Sequence, residues 1–246
     1  MNRRLGNPVR RRTIAECSSL KAVALILTGG ALFILCRDRT EILSSLQEQD
    51  KVRGDFPCTA EVESAIPFLK KAYGDAIRKV LLVGPDSCSA VAKWREHDID
   101  SEALGVEPYD VEDAEGFCKG LVKKGIVRVA DIKFPLPYTA KSFSLVIVSD
   151  ALDYLRPKYL NHTLPDLARI SKEGVVVFTG LPNKNKEKDS EVKVFGMTAK
   201  LRSASWWERH FIQTSLHENK ARASKFKKAM KKASFSPTCQ IFHLSP

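Results

Sequence analysis

The sequence predicts an α/β domain built on a parallel sheet and preceded by a membrane anchor. Three observations carry this. Short apolar runs alternate with helical patterns along residues 56–246. The runs are apolar throughout rather than at every second position, as in strands buried on both faces. A separate apolar stretch lies near the amino terminus between charged flanks. With 246 residues, 43% of them apolar, the chain can bury one sizeable core.

The amino-terminal segment carries much of the charge. Residues 1–37 hold seven Lys/Arg (Arg3, Arg4, Arg10, Arg11, Arg12, Lys21 and Arg37) against Glu16 alone, which is over half of the net +11. The basic balance therefore says little about nucleic acid, and no RNP-like or helix-turn-helix pattern accompanies it. Ala22 to Cys36 is an uncharged, mostly apolar run. Ser18, Ser19, Leu20 and the stem of Lys21 extend it to about 19 residues, close to a bilayer span. A secretory signal peptide shares this layout. Here charges follow at once (Arg37, Asp38, Arg39), with no small-x-small cleavage pattern, which favours an uncleaved anchor. A buried first helix is the alternative; Gly29-Gly30 and the lack of a polar face argue against it. The positive-inside rule leaves the tail cytosolic and the body across the membrane, a single-pass type II arrangement. A short span suits an early secretory membrane. The predicted organisation is a basic tail at 1–20, an anchor at 21–37, a stem at 38–55 and a folded domain at 56–246.

Two features agree with a luminal body. Asn161-His162-Thr163 is an N-glycosylation sequon, read here as a polar turn before Leu164-Pro165. Cys58, Cys88, Cys118 and Cys239 lie beyond the anchor, none in a CxxC spacing. No zinc site is predicted; up to two disulfides can form, in a pairing that the sequence leaves open.

In chain order, Thr59 is placed to cap a helix running to Tyr73, with a kink at Pro67. The first strand, Val80–Val83, stops on Gly84, and a short helix runs from Ser89 to His97. Ala103–Glu107 is the second strand. Asp110 to Lys124 reads as a helix that turns Phe117, Leu121 and Val122 inward. Ile126–Ala130, Leu145–Ser149 and Val175–Thr179 supply the third to fifth strands. Strand and helix in alternation imply right-handed crossovers, with ligands at the carboxyl ends of the strands. Beyond Gly180 the pattern changes. Asn183 to Lys193 is a lysine-rich loop. Ser205-Trp206-Trp207 opens a helix capped by Ser203 or Ser205. Lys220 to Lys232 holds seven Lys/Arg and no acidic residue, and Cys239–Leu244 reads as an antiparallel strand at the sheet edge.

An adenosine-containing ligand asks three things of such a sheet: a tight turn after the first strand, a carboxylate after the second for the ribose hydroxyls, and a polar group after the third for the adenine amine. Gly84, Glu107 and Asp131 stand at those three ends. The further glycines of a GxGxxG loop are replaced by Pro85-Asp86-Ser87. Those glycines admit a pyrophosphate, so their absence weighs against a dinucleotide more than against a phosphate-free adenosyl group. Asp86 and Ser87 are placed to meet a charged amino-acid tail.

The segments LLVGPDSC, LGVEPYD, VRVADIKFPLPYTAKSFSLVIVSDALDYL and CQIFHL resemble S-adenosylmethionine-dependent methyltransferases of the Rossmann-like seven-strand class. More closely, the chain resembles the plant cotton Golgi-related family, Golgi-anchored methyltransferases implicated in methyl-esterifying the pectin homogalacturonan. The resemblance covers residues 56–246, and the tail and anchor fit it. Two places depart from the wider class: the reduced loop Gly84-Pro85-Asp86, and Ser144 where an aspartate commonly follows Ser-Phe. The resemblance implies that Gly84, Asp86 and Ser87 adjoin the methionine moiety. It further implies that Glu107 binds the ribose, that Asp131 and Ile132 hold the adenine, and that Ser149 and Asp150 face the sulfonium and the acceptor. By residue chemistry alone, Asp150 is equally a cap for the following helix and Asp153 a surface charge.

The five histidines form no paired motif, so no general base stands out. A uronate acceptor is already ionised near neutral pH and needs none. What such an enzyme needs is a cationic track for a polyanion. Lys225, Lys227, Lys228, Lys231 and Lys232 offer one, with Trp206 and Trp207 placed to stack on sugar rings. The implied partners are homogalacturonan, the Golgi membrane and a pectin glycosyltransferase complex. The competing reading is a non-catalytic Golgi scaffold of the same fold, which the shortened glycine loop supports.

Overall fold

The structure, a computed structural model, describes residues 56–98, 100–108, 116–182, 193–194 and 197–245. The predicted tail, anchor and stem lie outside the described residues, as does most of the lysine-rich loop. Among the described residues no helix is long and apolar enough to cross a membrane.

Five parallel strands make up most of a seven-stranded sheet: β1 Lys79–Val83, β2 Glu102–Glu107, β3 Val127–Val129, β4 Leu145–Ser149 and β5 Val175–Thr179. A two-stranded pair, β6 Lys193–Val194 and β7 Met197–Thr198, stands apart. β9 Gln240–Ser245 runs antiparallel to β5, and β8 His217–Glu218 runs antiparallel to β9. The order is β3-β2-β1-β4-β5-β9-β8. The last strand is thus antiparallel as expected, but β8 takes the edge beyond it. A two-residue strand is too short to leave a periodic signature.

The continuous apolar runs do what full burial requires. Val80 and Leu82 pack into one core cluster, while Leu81 and Val83 pack into another on the opposite face. Helices α1 Pro57–Tyr73, α2 Ser87–His97, α3 Gly116–Lys123 and α6 Lys220–Lys232 supply the first cluster. Helices α4 Pro157–Ile170 and α5 Ala204–Gln213 supply the second. Ser144 starts β4 by accepting from the Arg78 and Lys79 amides through its hydroxyl, at 3.1 and 3.0 Å.

Three local expectations are corrected. α1 begins at Pro57, so Thr59 lies inside its first turn instead of capping it. Asn161 lies within α4, not in a turn. Phe117 faces outward, 45% exposed, because Cys118 takes the inward position through a disulfide to Cys88. Leu121 and Val122 then follow on the same face, as a helical stripe demands. Ser203, one of the two candidates, caps α5 by accepting from the Trp206 amide.

The four cysteines pair as Cys58–Cys239 and Cys88–Cys118, closing 181 and 30 residues respectively. The longer loop constrains the unfolded chain more, by about 1–2 kcal/mol in the chain-entropy picture. Replacing both Cys58 and Cys239 with serine therefore costs more stability than replacing Cys88 and Cys118. Denaturant unfolding of the full chain in detergent checks this; equal midpoints for the two variants would contradict it.

Candidate active site

The strand order reverses direction between β1 and β4, and the carboxyl ends of the strands meet there. Gly84 leaves β1 with its N–H on the Val106 carbonyl at 3.1 Å. A Cβ on Gly84 would lie 2.5 Å from the Ser149 carbonyl oxygen and 2.7 Å from its Oγ. Only glycine lets the turn press this closely on the end of β4. Asp86 follows in the left-handed region (φ 57°), and Ser89 Oγ donates to its Oδ1 at 2.7 Å.

Glu107, at the end of β2, turns its carboxylate onto the first turn of α2. Oε2 accepts from the Ser87 amide at 3.0 Å and from the Ser87 hydroxyl at 3.2 Å. The helix N-terminus favours this negative end. Burial still dominates. With Glu107 only 5% exposed, desolvation lifts its pKa to about 8 against the lowering bonds from Ser87. Asp131, two residues beyond the register partner of Glu107, is exposed instead. Its oxygens meet the Lys133 amide and Nζ, each at 3.0 Å. Ile132 is buried, and its carbonyl accepts from Thr163 Oγ1 at 2.8 Å.

Across the crevice, Ser149 and Asp150 end β4 next to a residue that sequence reasoning treated only as a cap. Thr59 Oγ1 lies 2.8 Å from Ser149 Oγ, donates to the Pro85 carbonyl at 3.0 Å, and lies 3.1 Å from Asp150 Oδ2. The Thr59 amide donates to the same Oδ2 at 2.8 Å. Asp150 thus caps a helix, but α1, 91 residues earlier, rather than the helix that follows it. α1 needs this, since Phe56 at its start provides no side-chain cap. Asp150 holds φ 53° to do so, an uncommon backbone state for a non-glycine residue and one that clusters at functional sites. Desolvation raises its pKa to about 6, opposed by the bonds from Thr59.

Asp153 is buried, not a surface charge. Oδ2 accepts from the Gly180 amide at 2.9 Å, while Oδ1 is buried with no partner among the described residues, and desolvation lifts the pKa of Asp153 to about 7. Beside it the buried Arg202 donates to the Leu152 and Leu155 carbonyls at 3.3 and 2.6 Å. Neither residue carries a sequence signal; both stand out only once the turn after β4 is folded.

The expected substrate track does not come together. Trp207 is 0% exposed and part of the core, so it cannot stack on a sugar. The half-buried Trp206 has the Arg202 guanidinium 4.6 Å from its ring centre and the His210 ring stacked at 4.7 Å. Lys225, Lys227, Lys228, Lys231 and Lys232 are exposed along α6, but on the opposite face of the sheet from the two tryptophans. α6 starts at the amino edge of the sheet, where Arg222 pairs with Glu173 at 2.9 Å and donates to the Ala72 carbonyl. It ends towards the carboxyl edge, where the Thr238 and Cys239 amides donate to Glu61.

No family model matches the sequence. Two Arabidopsis thaliana proteins do. Probable pectin methylesterase CGR2 is 57% identical over 233 residues, covering 94% of this chain and 89% of that one. Probable pectin methylesterase CGR3 is 55% identical over 233 residues, covering 94% and 90%. The chain belongs to the cotton Golgi-related family. Among solved structures, a chain of the Haloferax volcanii complex of the Trm112 methyltransferase activator with its methyltransferase is 18% identical. It superposes with a TM-score of 0.51 over 71% of this chain and 75% of its own length. At that identity the likeness is one of fold.

For this cotton Golgi-related chain, the buried carboxylates set a direction for stability against pH. Glu107 and Asp153 bind protons more tightly folded than unfolded, so their contribution is full below the unfolded carboxylate range and is lost as pH rises through about 8 and 7. His243, buried and depressed to about 3, acts oppositely but only below its unfolded value near 6.5. Between pH 6.5 and 7 both carboxylates therefore govern, at up to about 1.4 kcal/mol per pH unit each, and from about 7 to 8 Glu107 carries the slope alone. The full chain should melt lower as pH rises over that window, and Glu107→Gln should flatten the slope. An unchanged slope in that variant contradicts the burial account.

Proposed function

We propose that the chain is an S-adenosylmethionine-dependent methyltransferase that methyl-esterifies the uronate carboxylates of homogalacturonan in the Golgi lumen. The observation that carries this is the edge of the sheet itself: a glycine-only approach of β1 to β4, flanked by Glu107 and Asp131 at the next two strand ends. A dinucleotide fits this edge poorly. Pro85 has no N–H, Asp86 brings negative charge, and the Ser87 amide at the head of α2 is already held by Glu107. A phosphate-free adenosyl group fits better, with Glu107 taking the ribose, Asp131 and Ile132 the adenine, and Gly84, Asp86, Ser87 and Ser149 adjoining the methionine end.

The bound donor supplies a methyl group on a cationic sulfur, with a neutral thioether as leaving group. The chain's own task is to hold an ionised acceptor oxygen in line with that methyl and to exclude water. The new oxygen–carbon bond then forms as the sulfur–carbon bond breaks, and no proton has to move. Asp150 and the turn after β4 stand beside the reacting end, with Thr59 fixing the orientation of Asp150. The basic face of α6 attracts a polyanion at long range.

The acceptor rests on the relatives, whose names concern the pectin methyl ester. The lumen is supported by the two disulfides, which form and persist in oxidising compartments. The apolar segment at 21–37 serves as the type II anchor, and a pectin glycosyltransferase complex delivers nascent polymer.

Two experiments test the reading. Above pH 8, where Glu107 is ionised, Glu107→Ala removes a charged hydrogen-bonding partner, which costs ~1.5–3 kcal/mol, or about 10- to 150-fold in donor affinity. An unaltered donor Kd in the folded variant removes the main support for the site. The second offers the full chain labelled S-adenosylmethionine with un-esterified and with fully esterified homogalacturonan. Label should enter the un-esterified polymer only. Methanol release from the esterified polymer without any transfer would indicate a hydrolase, and neither activity a scaffold. Because exposed charge is screened beyond ~8–10 Å, neutralising Lys225, Lys227, Lys228, Lys231 and Lys232 together should raise the KM for polymer and weaken its salt dependence. Donor affinity should stay unchanged.

A further inference from the structure

We propose that the groove between the start of α4 and the outer face of α5 is a subsite for one uronate ring of an acidic glycan. The proposal rests on the acceptor half of the reading above and places that acceptor on the α4–α5 face of the sheet. The groove encloses about 270 Å³ between Pro157, Asn161, Trp206, Arg209, His210 and Gln213. That is below the size of a typical drug-like site and suits a single ring.

Its lining matches a ring that carries hydroxyls and a carboxylate. Asn161 and Gln213 are exposed carboxamides, each able to donate and accept towards neighbouring hydroxyls. Arg209 is exposed and presents a planar fork suited to a carboxylate. His210 is buried, and its Nε2 has no hydrogen-bond partner among the described residues. No acidic side chain belongs to the lining. The first turn of α4 lies at the rim without a side-chain cap, so its positive end adds to Arg156 and Lys158 nearby.

The wall is held firmly and is coupled to the reacting end. Trp206 is fixed between its contacts with Arg202 and His210. Arg202 in turn donates to the carbonyls of Leu152 and Leu155, in the turn that follows Asp150. One side chain thus bridges the groove and the candidate site, as a polymer lying across both requires.

Asn161 decides between two occupants. A glycan attached to this sequon would fill the groove with its own first sugar. In the folded chain, however, the sequon is helical, and the Thr163 hydroxyl, 3% exposed, donates to the Ile132 carbonyl. The hydroxyl that a sequon must present is therefore withdrawn once α4 has formed, and the subsite requires Asn161 to be unmodified.

Calorimetric titration of the full chain in detergent with a short un-esterified oligogalacturonate, and with a neutral malto-oligosaccharide as control, tests this without requiring turnover. Binding should be selective for the acid. Arg209→Gln should weaken it about tenfold, as for loss of a charge-assisted bond in a partly exposed site. Arg209→Lys, which keeps the charge but loses the fork, should weaken it less than Arg209→Gln does, with melting temperature and donor affinity unchanged in both variants. Wild-type affinity in Arg209→Gln, no selective binding by the wild type, or a glycan found on Asn161 by mass spectrometry would each overturn the proposal. Binding that depends on Arg209 without methyl transfer would keep the groove and refute the methyltransferase reading. Transfer to the polymer that ignores Arg209 would do the reverse.

Discussion

The contact on which the candidate site depends is the carboxylate of Asp150 on the first turn of α1. A helix without a local cap leaves amide donors unsatisfied, and here they are met from the end of β4. Substituting a capping residue typically costs about 1 kcal/mol, and this cap is buried as well. Because the cap comes from so far along the chain, it also fixes where α1 lies. Thr59 is carried over the crevice between β1 and β4, and the bond from Cys58 to Cys239 holds the same turn against the start of β9. Glu61, one turn further on, accepts from the Thr238 and Cys239 amides. The first helix, the switch point and the last strand are thus tied at one place.

Glu107 repeats the device on α2. Both carboxylates at the carboxyl edge of the sheet sit against helix N-termini, and both are buried enough that desolvation outweighs those bonds. The edge is therefore expensive in its empty, ionised form, and a ligand whose hydroxyls donate to these oxygens offsets part of that cost. The Gly84 turn, with no space for a Cβ, sets the distance between the two halves of the crevice.

Much of this edge was legible because a parallel sheet brings its strand ends together whatever the loops do. Gly84, Glu107, Asp131, Ser149 and Asp150 needed only correct strands to fall in one row. What was not legible depends on contacts between distant segments. Thr59 reads as a local cap until Asp150 is found above it. Asp153 reads as a surface charge, and Arg202 carries no signal at all, until the turn after β4 is buried. Trp207 reads as a sugar platform until α5 rolls it into the core. The lysines of α6 and the tryptophans of α5 are near in sequence yet lie on opposite faces of the sheet, because the chain crosses through β8 between them. Neither periodicity nor composition records on which face a helix lands.

The central claim is that the crevice between β1 and β4 holds an adenosyl methyl donor. Hydrogen exchange of the full chain with and without S-adenosylhomocysteine tests it most directly, since it reads where the ligand acts without requiring an acceptor. The account predicts slowed exchange at the amides of residues 84, 86–91, 104–108, 131–134 and 149–153, with α5 and α6 unchanged. Absence of protection at those strand ends, or protection confined to α5 and α6, would contradict it.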